Sequence, residues 1–122
     1  MKLTHRYQSG ACVLTIDGEV DVTTSHELET YLDLVRRSLD DHLVVDAGRL
    51  SFLDSSGLTV LLAAAILAQA RGAAVHLVGL QPRVARILEI TGAMVAIRTH
   101  EDVEQALTAA GSMSGSGVAE PV

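Results

Sequence analysis

Along this chain the spacing of apolar residues switches repeatedly between two periods, and that alternation restricts the fold more than any other feature. Short apolar runs at 43–45, within HLVVDAG, and at 73–80, AAVHLVGL, are brief and bounded by polar and glycine residues, as buried strands are. A third run, MVAIR at 94–98, reads as a short last strand. Between them the period lengthens. Leu28, Leu32, Val35 and Leu39 form one helical stripe, and Thr24 with Glu27 has the spacing of a capping box, so a helix is expected to start near Thr24. A second helix is expected from Ser56 or Gly57 to Arg71, closed by Gly72, with Leu58, Leu61, Leu62, Ala65 and either Ile66 or Leu67 facing inward. Pro82 suits the first turn of a third, with Val84, Ile87 and Leu88 on one side and Gly92 beyond its end. A fourth, EDVEQALTAA, turns Val103, Ala106 and Leu107 inward and crowds acids at its start, where the helix dipole favours them.

Ahead of these, residues 3–8 and 11–17 are extended candidates joined by Ser9-Gly10, a turn-forming pair, which predicts an antiparallel hairpin. RLSFLD at 49–54 reads as a loop. The order hairpin, helix, strand, helix, strand, helix, strand, helix predicts an α/β fold with a mixed, mostly parallel sheet of four to five strands and about four helices. Residues 1–110 form the expected domain, and the Gly/Ser-rich stretch 111–122 is expected to be a disordered tail.

Charge and composition remove several functions. A formal net charge of -6 over 122 residues offers no basic footprint for a phosphate backbone or an anionic membrane. With two Tyr, one Phe and no Trp, stacking platforms for nucleic acid are also missing. The longest apolar stretch, 58–70, falls short of the roughly 20 residues that span a bilayer, and the N-terminus lacks a signal-peptide core. Cys12, the one cysteine, has no disulfide partner and reads as a small buried hydrophobe. A cytoplasmic protein without nucleic-acid or membrane partners is the expectation.

Catalytic sets are equally hard to assemble. The five histidines, His5, His26, His42, His76 and His100, show no pair at metal-ligand spacing, so no metal is expected, and His76 reads as a hydrogen-bonded or edge histidine in a strand. No Walker loop, no Gly-x-Gly-x-x-Gly and no Gly-x-Ser-x-Gly elbow occurs, and the sole lysine, Lys2, does not suit a receiver domain. No cofactor is expected, and no enzymatic activity.

What remains is the junction FLDSSGL at 52–58, where an apolar strand-like run gives way to an apolar helix. Asp54, Ser55 and Ser56 are all good N-cap residues, and capping alone would explain one of them. Three in a row exceed that need and leave a serine free for modification. A phosphate there would meet the free N–H groups and positive dipole end of the helix, and would add about -1.5 to -2 charges beside Asp54. The helix that follows, LTVLLAAAILAQA, is apolar nearly all round, which suits either a partner surface or plain helix-forming alanine.

These residues resemble a known family. GEVD at 18–21, FLDSSGL at 52–58 and PRVARILEITG at 82–92 are similar to the STAS domains, in particular bacterial anti-sigma factor antagonists, over nearly the whole domain. The resemblance implies the STAS fold and a partner switch: an unphosphorylated antagonist binds an anti-sigma factor that is also a serine/threonine kinase, a sigma factor is freed, phosphorylation of Ser55 releases the antagonist, and a serine phosphatase resets it. It assigns Ser55 as phosphoacceptor, Asp21 and Asp54 as acidic neighbours shaping the docking surface, and Ser56, Gly57 and Leu58 as further docking residues. The alternative within the same fold is a binding module that never switches, in a scaffold or a lipid-transport complex.

Overall fold

The computed structural model describes residues 1–36 and 41–119, with side chains described as far as Met113. Five strands form one sheet in the order β1-β2-β3-β4-β5: β1 (Lys2–Gln8), β2 (Ala11–Val20), β3 (His42–Leu53), β4 (Val75–Val78) and β5 (Arg98–His100). β1 runs antiparallel to β2 across the Ser9-Gly10 turn, where both residues have positive φ, and the remaining pairs are parallel. Four α-helices connect and follow them: α1 (Ser25–Val35), α2 (Ser55–Ala70), α3 (Pro82–Thr91) and α4 (Val103–Ala119). The α/β class, the hairpin and the mostly parallel sheet agree with the expectation.

Because the parallel strands follow one another in chain order and crossovers keep one hand, α1, α2 and α3 fall on the same face of the sheet. The main core fills that side, with Leu14, Ile16, Leu43, Val45, Leu77, Leu28, Leu61 and Leu88 among its members. After β5 the chain returns over the opposite face as α4, where Ala106 packs on Val13, Val44 and Val78 in a second, smaller cluster. Alternation along each strand explains why Val44 and Leu43 serve different layers. Cys12 is buried in the main core.

Several boundaries differ from the sequence reading. RLSFLD is not a loop through its first five residues: β3 continues to Leu53. It pairs with β2 by way of two register shifts, between Thr15 and Asp17 and between Gly18 and Glu19, each placing an extra residue on β3. Such bulges break the two-residue period that marks a strand, and they bend it. The last strand is Arg98–His100, while Ala93–Val95 forms a 3-10 turn after Gly92, so MVAIR straddles two elements. In α1 the stripe ends at Val35, and Leu39 lies outside the described residues. α2 turns Gly57, Leu58, Leu61, Ala65 and Ala68 inward, leaving Ile66 and Leu67 exposed. α4 carries a helical backbone from the packed region, whose last strongly buried residue is Ala110, on to Ala119.

Candidate functional site

β2 and β3 end together, with Val20 opposite Leu53 and the Asp54 N–H donating to the Val20 carbonyl at 3.2 Å. The two following turns, Asp21–Thr24 and Asp54–Gly57, therefore lie side by side at the carboxyl end of the parallel strands, where open α/β sheets place their sites.

In the first turn Asp21 is the organiser. Its Oδ1 accepts the Thr23 N–H at 2.8 Å and the Thr23 hydroxyl at 2.6 Å, while its carbonyl accepts the N–H groups of Thr24 and Ser25. Thr24 is the residue preceding α1, yet its hydroxyl makes no cap: it accepts the Asp21 N–H at 3.0 Å and donates to the Glu19 carbonyl at 3.0 Å. The expected capping box is thus replaced by a loop brace. Hydrogen bonds from Thr23, the hydroxyl foremost, hold the Asp21 carboxyl below its ordinary range.

Asp54 caps α2. One carboxylate oxygen accepts the Ser56 N–H at 2.9 Å, the Gly57 N–H at 3.2 Å and the Ser56 hydroxyl at 2.5 Å. The Ser56 hydroxyl is the largest influence holding this carboxyl down, with smaller ones from the N–H groups of Gly57, Ser56 and Val22; the last joins the two turns. Two of the amides expected to receive a phosphate on Ser55, those of Ser56 and Gly57, are therefore already engaged by Asp54.

Ser55 stands apart. The stretch from Leu50 to Arg71 holds four hydroxyl residues: Ser51 donates to the Gly18 carbonyl at 3.2 Å, Ser56 to Asp54, and Thr59 to the Ser55 carbonyl at 2.8 Å. Ser55 is exposed, and its hydroxyl makes no hydrogen bond among the described residues. Capping had left Ser55 and Ser56 alike; the geometry separates them.

Gly57 and Leu58, expected on the docking surface, are buried instead. A Cβ at Gly57 would stand 2.6 Å from Leu53 Cδ1 and 2.6 Å from Val20 Cγ1, so this glycine lets the first turn of α2 sit directly on the ends of β2 and β3. Leu58 belongs to the main core. Both support the surface from beneath.

Removing the cap should be visible in stability. Asp54→Ala is expected to lower the melting temperature at neutral pH, and Asp54→Asn to retain most of it, because an amide oxygen still caps. Since the folded carboxyl lies below its reference 3.8, its stabilisation is present above that value and is lost as pH falls through the lower folded value. The gap between wild type and Asp54→Ala should therefore close in strong acid; melting curves of the three proteins from neutral pH downward check this, and a gap that persists unchanged would show that the charge contributes nothing.

Among the described residues no group of three or more His, Cys, Asp and Glu is arranged to hold a metal, and no helix is long and apolar enough to cross a membrane. The histidines are less scattered than their spacing suggests, however. His42, His76 and His100, on three adjacent strands, meet in one hydrogen-bonded row; the sequence carries each residue but not the register that joins them.

Comparison with known proteins agrees with this architecture. The chain is 27% identical over 109 residues to the anti-sigma F factor antagonist of Paenibacillus polymyxa, covering 88% of this chain and 93% of that one. An anti-sigma factor antagonist from Mycobacterium paratuberculosis superposes with a TM-score of 0.79 at 25% identity, over 89% of this chain and 92% of that one. The Bacillus cell fate determinant SpoIIAA in its phosphorylated form gives 0.66 at 17% identity, over 88% and 97%, a likeness of fold. The family model for the STAS domain matches residues 3–106, the span of the sheet, both turns and the start of α4, and this chain belongs to the STAS domain family.

Proposed function

We propose that this chain is an anti-sigma factor antagonist switched by phosphorylation at Ser55. Unphosphorylated, it binds an anti-sigma factor that is also a serine/threonine kinase, and a sigma factor is freed. The kinase transfers the γ-phosphoryl group of ATP to Ser55 Oγ, and the antagonist lets go. A serine phosphatase hydrolyses the ester and restores binding. The chain is a binding module and a substrate, not a catalyst, and it works in the cytoplasm.

One observation carries the assignment of the acceptor: of the four hydroxyls in the 50–71 stretch, Ser55 alone is not donating a hydrogen bond among the described residues. Asp54 and Ser56 hold the cap, Asp21 braces the neighbouring turn, and Gly57 and Leu58 set the height of the platform. The relatives named as anti-sigma factor antagonists, and a neighbour solved in a phosphorylated form, support the same reading.

Phosphopeptide mapping of the protein from cells in several growth states tests it. The tryptic peptide 50–71 contains Ser51, Ser55, Ser56 and Thr59, and fragmentation is expected to place a growth-dependent phosphate on Ser55. No phosphate on Ser55 in any state would favour the unswitched binding module, in a scaffold or a lipid-transport complex.

A further inference from the structure

The side of the sheet away from the phosphoacceptor helix carries an unusual polar feature. His76 is fully buried on β4, between β3 and β5, and belongs by strand alternation to the face that also carries Val44, Val78 and α4. His42, two residues before Val44, and His100, opposite Val78, share that face. Their rings form a row with centroids 5.4 and 5.1 Å apart. His76 Nδ1 lies 3.0 Å from His100 Nε2, and His76 Nε2 lies 3.3 Å from His42 Nδ1.

A single backbone group fixes every proton in the row. The Ala74 N–H donates to His42 Nδ1 at 3.2 Å, so that nitrogen is an acceptor without a proton. His76 Nε2 must then be the donor to it, which leaves His76 Nδ1 bare in the neutral ring. His100 Nε2 in turn must donate to His76 Nδ1. The row is satisfied with all three rings neutral and all three protons on Nε2. A proton added to His76 would put two N–H groups face to face at 3.0 Å, and one added to His42 Nδ1 would confront both Ala74 and His76. His100 alone has its unprotonated nitrogen outside the row, since the bare nitrogens of His42 and His76 both accept within it.

We propose that this histidine row is an acid-sensitive latch, in which protonation of His76 and His42 breaks the row and frees α4 from the sheet. α4 packs against β3, β4 and β5, and Ala106 and Ala110 are its strongly buried residues among those described, so small side chains hold it there. Among the described residues, the charges around the row do not reverse the lowering at any of the three rings. Arg98 on β5 opposes protonation of all three rings; Asp41, just ahead of β3, favours it at His42, and Asp102, just ahead of α4, favours it at His100. β2 offers Ala11, Val13 and Thr15 to this face, β3 adds Asp46 opposite Val78, whose carboxylate accepts the Gly48 N–H at 3.1 Å, and the one carboxylate on α4 among the described residues is Glu104, which is exposed.

Burial, foremost, pushes His76 down to about 4 from 6.5, and also lowers His42 and His100. A group whose folded value is depressed binds its proton more readily once opened, so stability is complete above 6.5 and falls as pH drops toward 4. Within that window opening of α4 should rise about tenfold per pH unit through His76 alone, with the other two adding in the same direction.

The test uses the full chain and is independent of phosphorylation. Long-range proton–nitrogen correlation of the imidazoles at neutral pH is expected to show the Nε2–H form at all three histidines; an Nδ1–H form at His76 would overturn the row. Hydrogen exchange followed by mass spectrometry, corrected for intrinsic rates, is expected to show α4 losing protection by about tenfold or more per pH unit below 6.5 while β2 and β3 stay protected. His76→Leu, which cannot be protonated, should flatten that dependence. Protection of α4 that tracks β2 and β3 at every pH would reject the latch, and so would a folded His76→Leu protein with the same acid response as wild type.

Discussion

Gly57→Val is expected to lower the melting temperature by roughly 10 °C, the largest stability effect of any single change at the junction. The cause is tertiary. A Cβ at this position lands within 2.6 Å of both Leu53 Cδ1 and Val20 Cγ1, and 3.1 Å from Val20 Cβ. Leu53 can swing its methyl aside only inside a filled core, and Val20, paired with Leu53, is itself fully buried there. Overpacking of this kind costs about 1–3 kcal/mol, offset only by the roughly 0.4 kcal/mol by which valine exceeds glycine in helix propensity. Valine adds two further methyl groups, so a net loss near 3 kcal/mol is expected, at about 4 °C for each kcal/mol in a chain of this size. Gly57→Ala should fall between the two. Thermal unfolding followed by circular dichroism checks the series, and a valine variant melting within about 2 °C of wild type would show that α2 lifts off the sheet ends freely.

The second large effect concerns binding. Ser55→Asp should weaken association with the cognate anti-sigma kinase by at least about tenfold, whereas Ser55→Ala should bind as the unmodified protein does and fail to release. Where the docked kinase brings an acidic group within roughly 6 Å, one new like-charge pair across the interface costs about 3 kcal/mol at an effective dielectric of about 20, and about 1.4 kcal/mol is a factor of ten. Asp54 already stands next to the new carboxylate, so the added charge enlarges an acidic patch rather than creating one. Titration calorimetry of the two variants against the purified kinase measures the difference. Equal affinities would reject an electrostatic release.

Much of this was legible in the sequence where one rule acted alone. The alternation of periods gave the order of elements, and Gly72, Pro82 and Gly92 marked helix ends because backbone geometry at those points admits few residues. Legibility failed where two rules competed. Ser51 and Phe52 read as loop because β-bulges interrupt the strand period, and Thr24 read as a cap because the same hydroxyl could serve either the helix or the Asp21 turn. At the junction the residue types announced a site, but three cap-capable side chains were equivalent until their hydrogen bonds separated Ser55 from Ser56. The histidine row was beyond reach, since three residues separated by more than twenty positions each meet only through parallel register.

The occupation of the α2 amides by Asp54 has a consequence for the gain of the switch. A phosphate on Ser55 would find the Ser56 and Gly57 N–H groups taken, and on the proposed switch it would stay in solvent without moving the cap. The two forms of the proposed switch would then present one shape with two charges, and a partner would tell them apart through a field that counter-ions attenuate. At physiological ionic strength the Debye length is about 8 Å, and at 1 M it shrinks to about 3 Å. Discrimination between the forms should therefore fade as salt is raised while the affinity of the unmodified form changes less, which makes the ionic composition of the cell a setting on the sensitivity of the signal.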